Sequence, residues 1–172
     1  PGAAENGSIY NHAAAFYAWG LYCVGDAERA YDVVRKMIAG PDEGDLLQRG
    51  HIPVSIPNYY RGAYHQFPRT AGRSSQLFNT GTVSWVYRSI IEGLFGLQGC
   101  SNGLLVKPNL PAHWPTAHVL RDFRGASFDV KYTRTDEVTA LQITVDNKPL
   151  AGSVIQSIER GKVYKVVVRL PL

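Results

Sequence analysis

The sequence predicts a mixed α and β protein in which helices come first and antiparallel strands follow. Before about residue 100, apolar residues recur at the three- and four-residue spacing of helices. From Gly103 onward they alternate with polar residues, as in half-buried strands. The 172 residues suffice for one domain with a real core or for two smaller layers. We therefore predict two domains, over residues 1–100 and 101–172.

Two helices are predicted near the start of the chain. The first runs from Ser8, as its N-cap, to about Val24, and it is apolar on most sides, as in a helix buried among other helices. Asp26 is predicted to cap the second, which has one apolar stripe and ends at Gly40-Pro41. An inner helix followed by an outer, amphipathic helix is the repeating unit of a helical toroid.

A long polar connection precedes the third helix. Residues 41–79 contain four prolines and four glycines and resist a helical interpretation. A connection of this length in a compact domain is usually functional. Helical spacing returns from Val83 to Phe95, so a third helix is predicted after Asn79, with its end between Gly96 and Gly99.

The last third of the chain carries three alternating apolar patterns, with turns predicted at residues 146–149 and 160–162. The apolar positions are Phe128, Val130 and Tyr132, then Leu141, Ile143 and Val145, then Tyr164, Val166 and Val168. Half-buried antiparallel strands of this kind predict a β-sandwich or jelly roll.

Composition narrows the function classes. The formal net charge is +4, which favours an anionic partner, but Lys and Arg are spread out and do not form the clusters typical of nucleic-acid binding. No apolar run reaches the roughly 18 residues of a membrane span. The opening residues lack a Met and a secretory signal, so we interpret the chain as a piece of a longer protein. Cys23 and Cys100 are expected to be buried free thiols in a reducing compartment.

Asn79-Thr80-Gly81-Thr82 stands at the start of the third predicted helix. Unpaired backbone N–H groups and the positive end of the helix dipole make such a turn a candidate anion site, and Gly81 lets an oxyanion approach the backbone. The commoner interpretation is an N-cap with a permissive glycine. His12 lies on an apolar face of the first helix, where a histidine is more often a core residue than a catalyst or ligand. No second His follows at helical spacing, so no metal site is predicted.

The long connection also carries candidate binding residues. Its aromatic, Arg and Gln side chains suit sugar stacking and pairing with phosphate or carboxylate, and the alternative is a loop that packs over the helices. They include Tyr59, Tyr60, Arg61, Tyr64, His65, Gln66, Arg69 and Arg73. The sequence contains no GxSxG, P-loop or GxGxxG motif and no evident pair of acid and base carboxylates.

Four segments, in order along residues 5–126, resemble the glycoside hydrolase family 94 phosphorylases. Residues 5–13, Glu-Asn-Gly-Ser-Ile-Tyr-Asn-His-Ala, resemble the family's "ENGGIFxHxx" segment, and residues 79–85 resemble "TGTxSW". Residues 102–114 are similar to "GLxIxPxxPxxW", and residues 123–126 match "FRGA". Four matches in the right order are more specific than any one of them.

The resemblance implies the last helices of an (α/α)6 barrel over residues 1–100, closed by a jelly-roll-like antiparallel β-sandwich. It implies an inverting disaccharide phosphorylase, in which an upstream Asp protonates the glycosidic oxygen while phosphate attacks the anomeric carbon. The phosphate ligands would be His12, Thr80 and Gly81, and Glu5 would contact the sugar. The family's phosphate-contacting Gln has no matched position, and Arg61 or Gln66 is its candidate replacement. No catalytic residue is expected in this chain, which should be inactive alone.

Within the family, residues 57–62 and 67–73 look most like the cellobionic acid phosphorylases. The implied substrates are cellobionic acid or cellobiose together with inorganic phosphate, and the product is α-glucose 1-phosphate. The implied enzyme is a cytoplasmic homodimer without cofactor or metal, and without a nucleic-acid or membrane partner. Two alternatives stay open: a non-catalytic carbohydrate-binding module and a glycoside hydrolase on the same barrel.

Overall fold

The computed structural model describes residues 7–38, 56–62, 65–77 and 81–172. The chain forms two compact units, Pro1–Ile90 and Ile91–Leu172. The first contains the helices and a small sheet, and the second is built of strands. The predicted mixture of helices and antiparallel sheets is confirmed. The assignment of residues 1–100 and 101–172 to two domains of a larger enzyme stays a prediction.

The first unit holds helices α1, Asn11–Val24, α2, Ala27–Met37, and α3, Thr82–Arg88. A π-helical segment, Ser89–Leu94, continues α3. Asp26 caps α2 as predicted, because its carboxylate accepts a hydrogen bond from the Arg29 backbone N–H at 3.3 Å. The end predicted for the third helix, between Gly96 and Gly99, is wrong, since residues Leu97–Cys100 form a strand.

A small sheet replaces part of the predicted irregular connection. Strand β1, Ile9–Tyr10, pairs antiparallel with β2, Pro57–Tyr60, and β2 pairs with β3, Ser74–Leu77. The predicted start of α1 at Ser8 is therefore wrong, because the backbones of Ile9 and Tyr10 lie opposite Tyr60 and Tyr59 in a sheet. Two aromatic residues with high strand propensity in β2 stabilise this pairing.

The predicted burial of α1 is confirmed on one side only. Ala15, Ala18, Leu21 and Tyr22 are buried. Within the unit, Phe16 is 46% exposed and Tyr17 is 50% exposed, so the opposite side of the helix is open. Both cysteines are free thiols, but the prediction that they are buried is wrong: Cys23 is exposed and Cys100 is half-buried. Cys23 belongs to the last turn of α1, and its neighbour Val24 is exposed as well.

The second unit contains two sheets. The three-stranded sheet has the order β10-β5-β4, with β4 at Leu97–Cys100, β5 at Gly103–Val106 and β10 at Val154–Ile155. The five-stranded sheet has the order β6-β7-β11-β8-β9. Its strands are β6, Thr116–Phe123, β7, Ala126–Thr135, β8, Gln142–Val145, β9, Lys148–Pro149, and β11, Val163–Pro171.

The predicted alternation is confirmed in β7 and β11, where the apolar positions are buried and face one core. Phe128 lies opposite Tyr164 in register, and their rings stack with centroids 5.0 Å apart. These two strands are parallel, so the prediction of a wholly antiparallel sheet is wrong. Parallel strands need a long crossover connection between them. Here the connection from the end of β7 to the start of β11 contains β8, β9 and β10.

The turn predicted at residues 146–149 is confirmed. Asp146 and Asn147 have φ angles of 49° and 64°, the left-handed pair that a two-residue hairpin between β8 and β9 requires. The β8 pattern is confirmed only in part, since Ile143 is buried but Leu141, which precedes the strand, is 37% exposed. The sandwich and jelly-roll topologies stay predictions. None of the helices in the described ranges has the length and apolarity to cross a bilayer.

Candidate functional site

The predicted site residues fall into two groups. His12, Gly81, Arg61 and Gln66 belong to the first unit and are described by the structure. Glu5 and Thr80 lie outside the described residues, as does Asn79.

The structure brings His12 and Gly81 together. A Cβ built on Gly81 would lie 2.8 Å from His12 Nε2 and 3.2 Å from Trp85 Cδ1. Gly81 has a φ of −69°, an angle that any residue adopts, so the glycine matters here for space and not for backbone conformation, and a larger residue would displace the His12 ring. The Nε2 atom of His12 therefore faces the backbone at the start of α3.

Aromatic neighbours hold the His12 ring in this orientation. The Tyr10 hydroxyl lies 3.3 Å from Nδ1, the other nitrogen of the ring. The Phe16 ring packs on the imidazole one helical turn further along α1, with centroids 4.8 Å apart. Phe16 in turn makes an edge contact with Trp85 of α3, at 4.6 Å. This aromatic row joins α1 to α3 beside the site.

The start of α3 has no side-chain cap. The Gly81 carbonyl accepts from the Trp85 backbone N–H and from the Ser84 hydroxyl, each at 2.9 Å, so it points into the helix. By their position, the N–H groups of a first helical turn have no acceptor within the helix, and they carry the positive end of its dipole. An imidazole nitrogen beside such a turn can bind an anion jointly with the backbone.

Buried polar side chains connect both sides of the site to strand β2. The Thr82 hydroxyl donates to Asn58 Oδ1 at 3.0 Å, and Asn11 Nδ2 donates to the Pro57 carbonyl at 2.9 Å. Thr82 follows Gly81 directly, and Asn11 precedes His12. The sequence assigns no role to Asn58, because no pattern along the chain marks this residue. The polar neighbours of the two site residues, Asn11 and Thr82, are visible in the sequence, but their partners in β2 are not.

A stacked arginine fixes the outer part of the same helix pair. The Arg88 guanidinium lies over the Trp19 ring at 4.3 Å and 5.1 Å from the Trp85 ring centroid. Trp85, which borders Gly81, is thus held from both sides, by Phe16 and by Arg88.

Arg61 and Gln66, the other two predicted phosphate-binding residues that the structure describes, lie after strand β2. The Arg61 backbone extends the pairing of β2, since its N–H donates to the Arg73 carbonyl at 2.9 Å and its carbonyl accepts from Gly72 at 2.7 Å. Gln66 is exposed in a turn. The described contacts do not join either side chain to His12 or Gly81, and their predicted role in phosphate binding stays a prediction.

Comparison with known proteins places this chain in a known family, with matches to the first half of the chain and to nearly all of it. The family model described as "Glycosyl hydrolase 94 superfamily, catalytic domain" matches residues 1–96. A cellobionic acid phosphorylase of Neurospora crassa is 50% identical over 173 residues, which cover 99% of this chain and 22% of that protein.

Two more distant relatives also carry the name phosphorylase. A 3-O-beta-D-glucopyranosyl-beta-D-glucuronide phosphorylase of Paenibacillus borealis is 30% identical over 98% of this chain and 22% of its own length. An N,N'-diacetylchitobiose phosphorylase of Vibrio proteolyticus is 29% identical over 89% of this chain and 19% of its own length. The chain thus spans about a fifth of the length of these curated relatives.

Proposed function

Because the chain belongs to the glycosyl hydrolase 94 superfamily, we propose that it is the C-terminal part of an inverting disaccharide phosphorylase. The observation that carries this proposal is the close approach of His12 Nε2 to Gly81 at the start of α3. These two groups form an anion cradle, and inorganic phosphate is the anion that the family's reaction consumes.

The chemistry explains why a cradle takes the place of a base. In an inverting hydrolase a carboxylate removes a proton from the attacking water. Phosphate is already a nucleophile, so the protein has only to hold it on the face of the sugar opposite the leaving group. One phosphate oxygen bonds to the anomeric carbon, the glycosidic C–O bond breaks, and a general acid gives its proton to the departing oxygen. We assign that acid to a residue outside this chain, which is then inactive alone.

His12 and the first turn of α3 supply the hydrogen-bond donors in this proposal. Donors that already point at the phosphate oxygens need no reorganisation during the reaction, which is the usual source of electrostatic stabilisation in enzymes. Thr80 would add a hydroxyl from the residue before Gly81, and Arg61 or Gln66 a further donor. Glu5 would contact the bound sugar.

For the substrate we propose cellobionic acid, with cellobiose as the second candidate. The choice is supported by the 50% identity to a protein named cellobionic acid phosphorylase. The products would be α-glucose 1-phosphate and gluconate. We further propose a cytoplasmic homodimer for the complete enzyme.

The test is a product assay on the intact enzyme that contains this chain. Cellobionate and cellobiose are supplied with and without inorganic phosphate, and glucose 1-phosphate and free glucose are measured. We expect glucose 1-phosphate from cellobionate, only when phosphate is present. Free glucose released without phosphate would instead identify a hydrolase.

A carbohydrate-binding module would bind the sugars without turnover, and one observation weighs against it. Such a module needs exposed aromatic rings on a sheet face, whereas Phe128 and Tyr132 of the five-stranded sheet are 0% and 1% exposed.

A further inference from the structure

We propose that Asn58 is a positioning residue, which acts through Thr82 to set the separation between His12 Nε2 and the Gly81 backbone. This inference rests on the proposed function, since it assigns the gap between these two groups to the phosphate. Asn58 itself is bonded to neither of them by the described contacts.

The link to Gly81 is short and shielded from water. Asn58 is 5% exposed and Thr82 is 2% exposed, and their side chains share a 3.0 Å hydrogen bond. Because Thr82 is the residue after Gly81, a bond that fixes its hydroxyl also fixes the peptide between them. Burial strengthens such a bond and makes it costly to leave unmade.

The opposite side of the gap is attached to Pro57, the residue before Asn58 in β2. Asn11, which is 1% exposed, donates from Nδ2 to the Pro57 carbonyl at 2.9 Å, and it directly precedes His12. Pro57 and Asn58 are consecutive, so one short stretch of strand holds the start of α1 and the start of α3. The pairing of Tyr10 with Tyr59 holds the same stretch from its other end.

Stability alone would not select these side chains. Asn11 Oδ1 is buried and makes no hydrogen bond within the described part of the chain. A buried polar atom without a partner costs free energy, which offsets part of what the Asn11 Nδ2 bond to the Pro57 carbonyl contributes. The amides and the hydroxyl act here through the geometry that they impose on the two helix starts.

That geometry has little tolerance. Hydrogen bonds from nitrogen to oxygen weaken outside about 2.7–3.2 Å, and a misplacement of about 1 Å at a reacting group can cost about 10²-fold in rate. His12 Nε2 already lies within 2.8 Å of the space that a Gly81 Cβ would take. A small movement of Thr82 therefore opens or closes the cradle.

The test compares Thr82→Val with Thr82→Ser in the intact enzyme. Valine has the shape of threonine but cannot donate to Asn58, whereas serine keeps the hydroxyl. For Thr82→Val we expect the KM for phosphate to rise about tenfold, with the KM for the disaccharide within about twofold of the parent. Thr82→Ser should restore the phosphate KM, and Thr82→Ala carries the same expectation as Thr82→Val if the latter does not fold.

A second measurement separates this inference from the proposed function. Crystal structures of the same variants give the distance from His12 Nε2 to the Gly81 Cα, which should change in Thr82→Val and return in Thr82→Ser. An unchanged distance, or an equal rise in both KM values, would overturn the positioning role. If the parent enzyme makes no glucose 1-phosphate, the proposed function fails, while the distance still decides whether Asn58 positions Gly81.

Discussion

The two compact units both bury apolar side chains, but they differ in the polar side chains that they bury. In the described residues the buried polar positions are Asn11, Asn58, Thr82 and Ser89, and all of them belong to the first unit. Strands β7 and β11 of the second unit bury an alternating series of apolar residues instead. Buried polar groups lower stability unless they are hydrogen-bonded. We infer that Asn11, Asn58 and Thr82 are buried in the first unit because they hold its site together.

Exposure shows the same contrast. Phe16 and Tyr17 of α1 are about half exposed within the first unit, whereas Phe128 and Tyr132 are fully buried in the second. The comparison predicts that substitutions at the candidate site of the first unit change activity with little loss of stability. Substitutions in the core of the second should do the reverse.

The strongest test of this comparison is His12→Ala. Removing one donor to a developing or bound anion costs about 10²–10³-fold in catalysis, so we expect a loss of this size in phosphate-dependent cleavage, with little change in Tm. The matched control is His118→Ala, which removes an exposed imidazole 2.6 Å from Asp129 in the second unit. Equal losses of activity in both variants would contradict the assignment of the site.

Gly81→Ala tests the close approach directly. The added methyl would lie 2.8 Å from His12 Nε2, which is too close, so the ring must move and the phosphate KM should rise, by up to about 10²-fold. Gly20→Ala is the control, because a Cβ there meets nothing within 4 Å. Alanine inside a helix should stabilise the protein by up to about 1 kcal/mol and leave the phosphate KM unchanged.

Val130→Ala tests the second unit. Val130 is 0% exposed, and its truncation should lower the free energy of unfolding by about 2 kcal/mol through lost burial and a residual cavity. Chemical denaturation measures this change, and the phosphate KM should stay at the parent value. Val163→Ala, at a position 61% exposed in the neighbouring strand, should change stability by less than about 0.5 kcal/mol. A changed phosphate KM in Val130→Ala would break the division of roles.

The smallest effect is expected from Asp146→Asn in the β8–β9 turn. The Lys165 backbone N–H donates to Asp146 Oδ1 at 2.9 Å, and with the Lys162 ammonium it holds the pKa of Asp146 below its usual range. The folded state therefore gains stability above the pKa of the unfolded chain, about 3.9, and loses it as the pH falls through the lower, folded value.

Unfolding measured from about pH 6 to about pH 3 should show this loss in the parent and not in Asp146→Asn, with a difference below about 1 kcal/mol because the site is exposed. Asparagine suits the positive φ of 49° at this position, so the variant should keep the turn. Parallel stability curves for the two proteins would show that the carboxylate contributes nothing.

Local patterns in the sequence were sufficient for the elements that depend on neighbours along the chain. The Asp26 cap and the burial of Val130 follow from spacing of a few residues, and both are confirmed. The parallel pairing of β7 with β11 could not be predicted in this way, because strand direction is decided by the path of the chain between them. The short strand Ile9–Tyr10 was missed for the same reason, since its partner is far along the sequence.

The site divides in the same manner. His12 and Gly81 were each ambiguous as single residues, and only the family pattern joined them before the structure showed their contact. Asn58 carries no local signature, because its importance lies in a hydrogen bond to a helix that begins many residues later. The roles of Thr80 and Glu5, which lie outside the described residues, stay proposals.

The position of β11 affects the order in which the protein can fold during synthesis. Within the described residues, β11 lies between β7 and β8 and pairs with both. Until residues 163–171 have left the ribosome, the β6–β7 and β8–β9 hairpins have no common partner, and the edges of β7 and β8 that pair with β11 stay exposed. The five-stranded sheet can therefore be completed only once β11 is present, and a chain halted before Val163 would expose strand edges that favour aggregation.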